Sequence, residues 1–305
     1  MGVYRSCTRL ANFIFHRCIP MKFSYKKKLR IHDGWINKVI LNGKNDLMAT
    51  CSTDTTIKIL KRDVLLKTIR THKLTVNAVV FSDVYPLLIS VSDDRRALCH
   101  DLVTMRIFRS FYGSYSSIRC VDIDGDVVAV GDRSSVILYD LRSSAAIDTY
   151  NIGRVVNDVK IINKNTVIGC HSLYIMDGRR SCTALCVNQN EIKEIKRTGD
   201  GVAILSRERV VDLKMDDLLN LRYSEVKSET ASFTGCQPVN DRFYLTMDDK
   251  VVFSDRLENE MAENGKNRVL AAVKERLNGI CVDNNEEMVV ACGESLHYLY
   301  RRDDS

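Results

Sequence analysis

Two sets of three residues in this 305-residue chain carry the side chains of an acyl-transfer nucleophile, its base and the group that orients the base. His32, Thr50 and Asp54 form the first, and His72, Ser90 and Asp94 the second. A hydroxyl beside an imidazole that is itself held by a carboxylate is the arrangement that activates serine and threonine for covalent catalysis. The spacing argues for another role. Each member returns 40 residues later, 32 to 72, 50 to 90 and 54 to 94. Polar side chains repeated at a fixed period are expected to satisfy one another inside a repeated unit, since buried polar groups require partners. These residues therefore read as scaffold. Other signatures of chemistry are missing too. The stretch "NGKND" lacks the spacing and the Lys-Ser/Thr pair of a phosphate-cradling loop, and neither H-E-x-x-H nor G-x-S-x-G occurs. The expectation is no enzyme, no metal, no cofactor and no small-molecule substrate.

The elements around the two sets are strands. In the first unit "INKVIL", "LMATC" and "TIKIL" alternate apolar and polar residues between turn-forming stretches, and "VNAVVF", "LLISV" and "ALCHDL" fill the same slots 40 residues on. A four-stranded unit of this period is the blade of a WD-type propeller. Leu60, His100 and Tyr139 occupy the slot where that unit carries its Trp, so each network loses or alters an indole donor. In the third unit the turn Asp has become Arg133 or moved to Asp132. Beyond residue 150 the signature fades to strand, turn, strand. About seven units fit between His32 and the end of the sequence, the common closure number. The last unit supplies three strands, "NGICV", "MVVAC" and "LHYLY". An open edge invites aggregation, and "KFSYKKKLR", which alternates Phe23, Tyr25 and Leu29 with polar residues, can cover it. The fold expected is an all-β, seven-bladed propeller over 21–305, closed by an N-terminal strand that completes the last blade. With 3 Pro, 15 Gly and no Ser/Gly-rich tract, nothing marks a second domain.

Residues 1–20 read as a basic, disordered tail, although a mitochondrial presequence or N-myristoylation at Gly2 would also fit the pattern. The 11 Cys sit mostly in apolar strand-like runs and read as buried free thiols; the close pair Cys182 and Cys186 has no His or second pair at zinc spacing. No apolar run reaches the roughly 18 residues needed to span a bilayer, so no membrane contact is expected. A net charge of +6 permits contact with snRNA or pre-mRNA phosphate without demanding it.

Several local stretches, in order, resemble one family of propellers. "MKFSYKKKLRIHDGWINKV", "ATCSTDTTIKI", "THKLTVNAVV", "FYGSYSSIRCVDI" and "YDLRSSAAIDTY" are similar to the first three blades of the pleiotropic regulator 1 family, spliceosomal WD-repeat proteins of the nineteen complex. The carrying residues are Lys22 and Phe23 in the leading strand, His32, Gly34 and Trp35 in H-x-G-W, and Tyr139 through Ala146; "LHYLYRRDD" resembles the family's closing segment. The long N-terminal extension usual in the family is nearly absent here, and blades four to six are shortened. The resemblance implies a nuclear, non-enzymatic scaffold in pre-mRNA splicing. Its partners would be a Myb-type cell-division-cycle-five-like protein, a SKI-interacting-protein-like protein and the large U5 core protein. Asp33, Trp35, Arg95, Arg96, Arg133 and Arg142 are the candidate contact residues, Trp and Arg being the types that dominate interface energetics. A second reading takes Tyr139-Asp140-Leu141-Arg142 as a W-D-x-R-like box of a cullin-type ubiquitin ligase receptor. A third is a ribosome-associated or ribosome-assembly scaffold.

Overall fold

The computed structural model describes residues 23–42, 46–143, 145–176, 182–185, 191–198, 201–207, 209–214, 223–227, 232–239, 242–247, 250–255, 268–273, 275–283, 285 and 288–301. The tail of residues 1–20 and Lys22 lie outside them, as does Cys186, so the Cys182 and Cys186 pair falls outside the described side chains.

Every described element is a strand, and the strands form seven antiparallel four-stranded sheets. Blade one runs from Ile36–Asn42 through Leu47–Ser52 and Ile57–Lys61 to Val64–Ile69. The first strands of the next six blades are Val76–Phe81, Cys120–Asp124, Asp158–Ile162, Ile192–Arg197, Phe233–Val239 and Gly279–Val282. Each packs beside the first strand of the next blade, and Gly279–Val282 returns to Ile36–Asn42, so the sheets close into a ring around a central channel. This is the expected seven-bladed propeller.

The core lies between blades. Ile36, Val39, Met48 and Leu60 of blade one pack on Cys281, Val290, Leu296 and Tyr298 of blade seven. The other face of blade one, with Ala49, Cys51 and Ile59, packs on Val76, Val79 and Leu88 of blade two. A strand covered on both faces is buried along its length, as Leu87–Ser92 is, with Ser90 and Ser92 its polar members, each hydrogen-bonded. Blade seven is completed by Phe23–Leu29, which pairs antiparallel with Leu296–Arg301 from Phe23 opposite Arg301 to Leu29 opposite Leu296. Phe23 also meets the Tyr244 ring of blade six edge-on at 6.2 Å and 83°.

Blades four, five and six have full outer strands, Cys182–Leu185, Tyr223–Lys227 and Arg268–Ala272, beyond the strand, turn, strand legible in the sequence. An outer strand needs little hydrophobic alternation, as Val64–Ile69 illustrates, whose first four residues are exposed.

Candidate functional site

The first His-Thr-Asp set meets around a buried imidazole. The loop ahead of Ile36–Asn42 delivers His32, whose Nδ1 lies 2.8 Å from Asp54 Oδ2 and whose Nε2 lies 2.8 Å from Thr50 Oγ1. Burial lowers the His32 pKa despite Asp54. The neutral ring therefore donates Nδ1–H to the carboxylate and accepts the Thr50 hydroxyl at Nε2. Asp54 is also the acceptor of a tight turn, taking the Thr56 amide at 2.9 Å, the Thr56 hydroxyl at 2.7 Å and the Asp33 amide at 3.1 Å. Burial opposes its ionisation, but the bonds from Thr56 and His32 prevail and hold its pKa at about 2. Gly34 lets the loop lie close to this turn, since a Cβ there would meet Thr53 Oγ1 and press on the Asp54 amide at 3.1 Å. Thr50 is 0% and His32 1% exposed, so no acyl group can reach the hydroxyl.

The second set repeats this geometry and adds a member. His72 Nδ1 lies 3.0 Å from Asp94 Oδ2 and Nε2 lies 2.8 Å from Ser90 Oγ. His100 then places Nε2 2.9 Å from Ser90 Oγ. Burial pushes the His100 pKa down to about 4. A neutral His100 can donate Nε2–H to Ser90, Ser90 its hydroxyl to His72, and His72 its Nδ1–H to Asp94. Arg96 caps the chain, its Nη2 bonding Asp94 Oδ2 at 3.0 Å and the Thr71 carbonyl at 2.7 Å.

In blade three the network keeps Asp132 and Tyr139 but takes Ser114, which the sequence pattern did not single out, in place of the histidine. Ser114 stands where His32 and His72 stand, four residues before the buried Ile118, and donates to Asp132 Oδ2 at 3.0 Å. Asp132, not Arg133, is the turn acceptor, taking the amides of Ser134 and Ser135 at 2.8 Å each. Tyr139 reaches past to donate its hydroxyl to the Tyr112 carbonyl at 2.7 Å.

Two further polar systems hold blade to blade. At the top of the channel, at five of the blade junctions, the residue after the first apolar residue of one blade donates to that apolar residue's carbonyl in the next. Asn37 reaches Val76 at 2.8 Å, Asn77 reaches Ile118 at 2.7 Å, Asn157 reaches Ile192 at 2.9 Å and Lys193 reaches Phe233 at 2.8 Å. Asn278 of blade seven does the same to Ile36 of blade one at 3.5 Å. Lower down, Asp122 of blade three accepts Lys160 Nζ at 3.0 Å and the Ile161 amide at 2.9 Å from blade four, and Arg197 at 2.8 Å from blade five. Asp158 repeats the pattern by accepting the Ile195 amide at 2.8 Å.

The six candidate contact residues do not form one surface. Asp33, Trp35, Arg95 and Arg133 sit on the loops and turns of one face, with their side chains exposed. Arg96 is instead spent on the Asp94 network. Arg142 follows the opposite end of strand Ser135–Asp140, about 20 Å away by strand rise. There it grips Asp140 through Nε at 3.0 Å and Nη2 at 2.7 Å. That pairing raises the Arg142 pKa and, with the Arg142 amide, holds Asp140 near 2.

The WD domain, G-beta repeat family model matches residues 23–60 and 63–101. Among curated proteins, the chain is 25% identical over 131 residues to the WD repeat-containing protein 89 homolog of Dictyostelium discoideum, covering 41% of this chain and 36% of that protein. It is 29% identical over 147 residues to the Nuclear distribution protein PAC1 of Candida dubliniensis, covering 45% of this chain and 30% of that protein. The matched region spans about a third of the length of these relatives. With seven radial sheets, the chain is a seven-bladed β-propeller, and its first two blades carry WD repeats.

Proposed function

We propose that this propeller is a non-enzymatic interaction scaffold, and that its place is in the nucleus as a spliceosomal subunit of the nineteen-complex kind. The observation that carries the scaffold reading is the sealing of both hydroxyl-imidazole-carboxylate sets: Thr50 and Ser90 are fully buried and bonded to His32 and His72. Residues with the makings of a nucleophile hold the blades, which leaves the loop face for binding. The spliceosomal part is supported by the ordered resemblance over residues 21–150 and again over 277–304. The partners it brings are a Myb-type cell-division-cycle-five-like protein, a SKI-interacting-protein-like protein and the large U5 core protein, with contact to snRNA or pre-mRNA phosphate in reach of the exposed arginines. The test is affinity purification of the tagged full chain, with mass spectrometry and RNA sequencing of what accompanies it. Spliceosomal proteins with U2, U5 and U6 RNAs are expected. A cullin adaptor, or ribosomal precursors, without snRNA would overturn the spliceosomal reading and leave the scaffold reading standing.

A further inference from the structure

We propose that the loop face of blades one to four binds an acidic peptide segment bearing aliphatic or aromatic side chains, laid across the blade-to-blade loops. The proposal deepens the scaffold reading and rests on it, but not on the spliceosomal assignment.

Charge is the first argument. On the loops and turns of this face the exposed cations are Arg30, Arg70, Lys73, Arg95, Arg119, Arg133 and Arg154, and none of them forms an ion pair among the described residues. The acids of the same loops are turned inward. Asp54 and Asp94 serve the buried histidines, Asp132 serves Ser114 and its own turn, and the half-buried Asp93 accepts Asn77 and Ser117. Asp33 is the exposed acid that remains. The blade networks thus hold the carboxylates of the face inward while its guanidinium and ammonium groups project into solvent, so the exposed groups are mostly cationic, which is complementary to an acidic partner.

Apolar anchors are the second. Trp35, Leu74, Tyr115 and Val155 lie in the loops ahead of the first strands of four consecutive blades and are 38%, 52%, 94% and 39% exposed. Tyr115 projects into solvent while the serines around it are tied back: Ser114 to Asp132, Ser117 to Asp93, and Ser116 Oγ to the Arg133 amide. Between these anchors stand Arg95 and Arg133, the tips of the blade two and blade three turns. Apolar groups interleaved with unpaired guanidiniums suit a chain that alternates carboxylates with apolar side chains. Two of the four anchors are aliphatic and offer no ring for a nucleobase to stack on, which favours peptide over single-stranded RNA.

The test uses the full chain and fluorescence anisotropy with three labelled probes: a peptide alternating Asp and Glu with Leu and Phe, the same peptide with Lys in place of its acids, and a uridine oligomer. The acidic peptide is expected to bind at least about tenfold more tightly than either alternative, and to weaken as salt rises. Arg95→Glu with Arg133→Glu is expected to reduce that binding about tenfold or more, and Leu74→Ala or Tyr115→Ala severalfold. Arg142→Glu, on the opposite rim, should leave it unchanged. Equal binding of the basic peptide, preference for the uridine oligomer, or indifference to the double arginine variant with an unaltered melting temperature would each overturn the proposal. Failure here with spliceosomal proteins still co-purifying would leave the nuclear assignment intact, and success here without them would do the reverse.

Discussion

His100 Nε2 stands 2.9 Å from Ser90 Oγ, so a histidine fills the donor position that Leu60 leaves empty in blade one. Replacing His100 by Leu would convert blade two to the arrangement of blade one. Ser90 would keep its bond to His72, so the expected loss is about 1 kcal/mol, the net worth of one hydrogen bond. Urea unfolding with an unchanged m-value measures it.

The same residue gives the fold a pH dependence. Burial holds the folded pKa of His100 at about 4 against 6.5 for a free imidazole, and lowers His32 and His72 as well. Below pH 6.5 the unfolded chain takes up protons that the folded chain refuses. Stability is therefore full above that pH and falls as pH drops toward 4, with His100 alone contributing up to about 3 kcal/mol. Unfolding midpoints measured across this window should fall less steeply in His100→Leu than in the parent. The lowered Asp54 adds a separate loss from pH 3.8 toward 2.

Asp122 is the hinge of the channel wall where the repeat signature has faded, joining blades three, four and five. Asp122→Leu strands Lys160, which is nearly buried, and Arg197, which is a third exposed. The expected cost is about 2 to 4 kcal/mol, discounted for the water that reaches Arg197. Adding Lys160→Met should recover part of it, because a buried pair removed whole costs less than one broken. A double-variant unfolding series that shows no recovery would refute the coupling.

Closure depends on Phe23–Leu29. A chain beginning at Arg30 would present Leu296–Arg301 as an open edge. Light scattering should then show self-association that the full chain does not, together with a lower melting temperature.

Much of this architecture was legible because its signals are local or periodic. His32, Asp54, His72 and Asp94 repeat at 40 residues, and Phe23 and Tyr25 alternate as a strand must. The belt through Asn37, Asn77, Asn157, Lys193 and Asn278 was not, because although three of its Asn donors keep the 40-residue period, each acceptor is a main-chain carbonyl in another blade, with no side chain to pair with the donor in the sequence. The Asp122, Lys160 and Arg197 cluster was hidden by separations of 38 and 75 residues. Of the arginines chosen by type, Arg96 and Arg142 were distinguishable from Arg95 and Arg133 once their carboxylates were placed, at Asp94 and Asp140.

Binding through the loop face is tested most directly by a paired purification of the full chain. One variant carries Arg95→Glu, Arg133→Glu and Tyr115→Ala, and the other Arg142→Glu alone. The expected result is that the first loses the spliceosomal proteins and RNAs recovered with the parent while the second retains them, both melting at the parental temperature. Identical recovery with the two variants would contradict it.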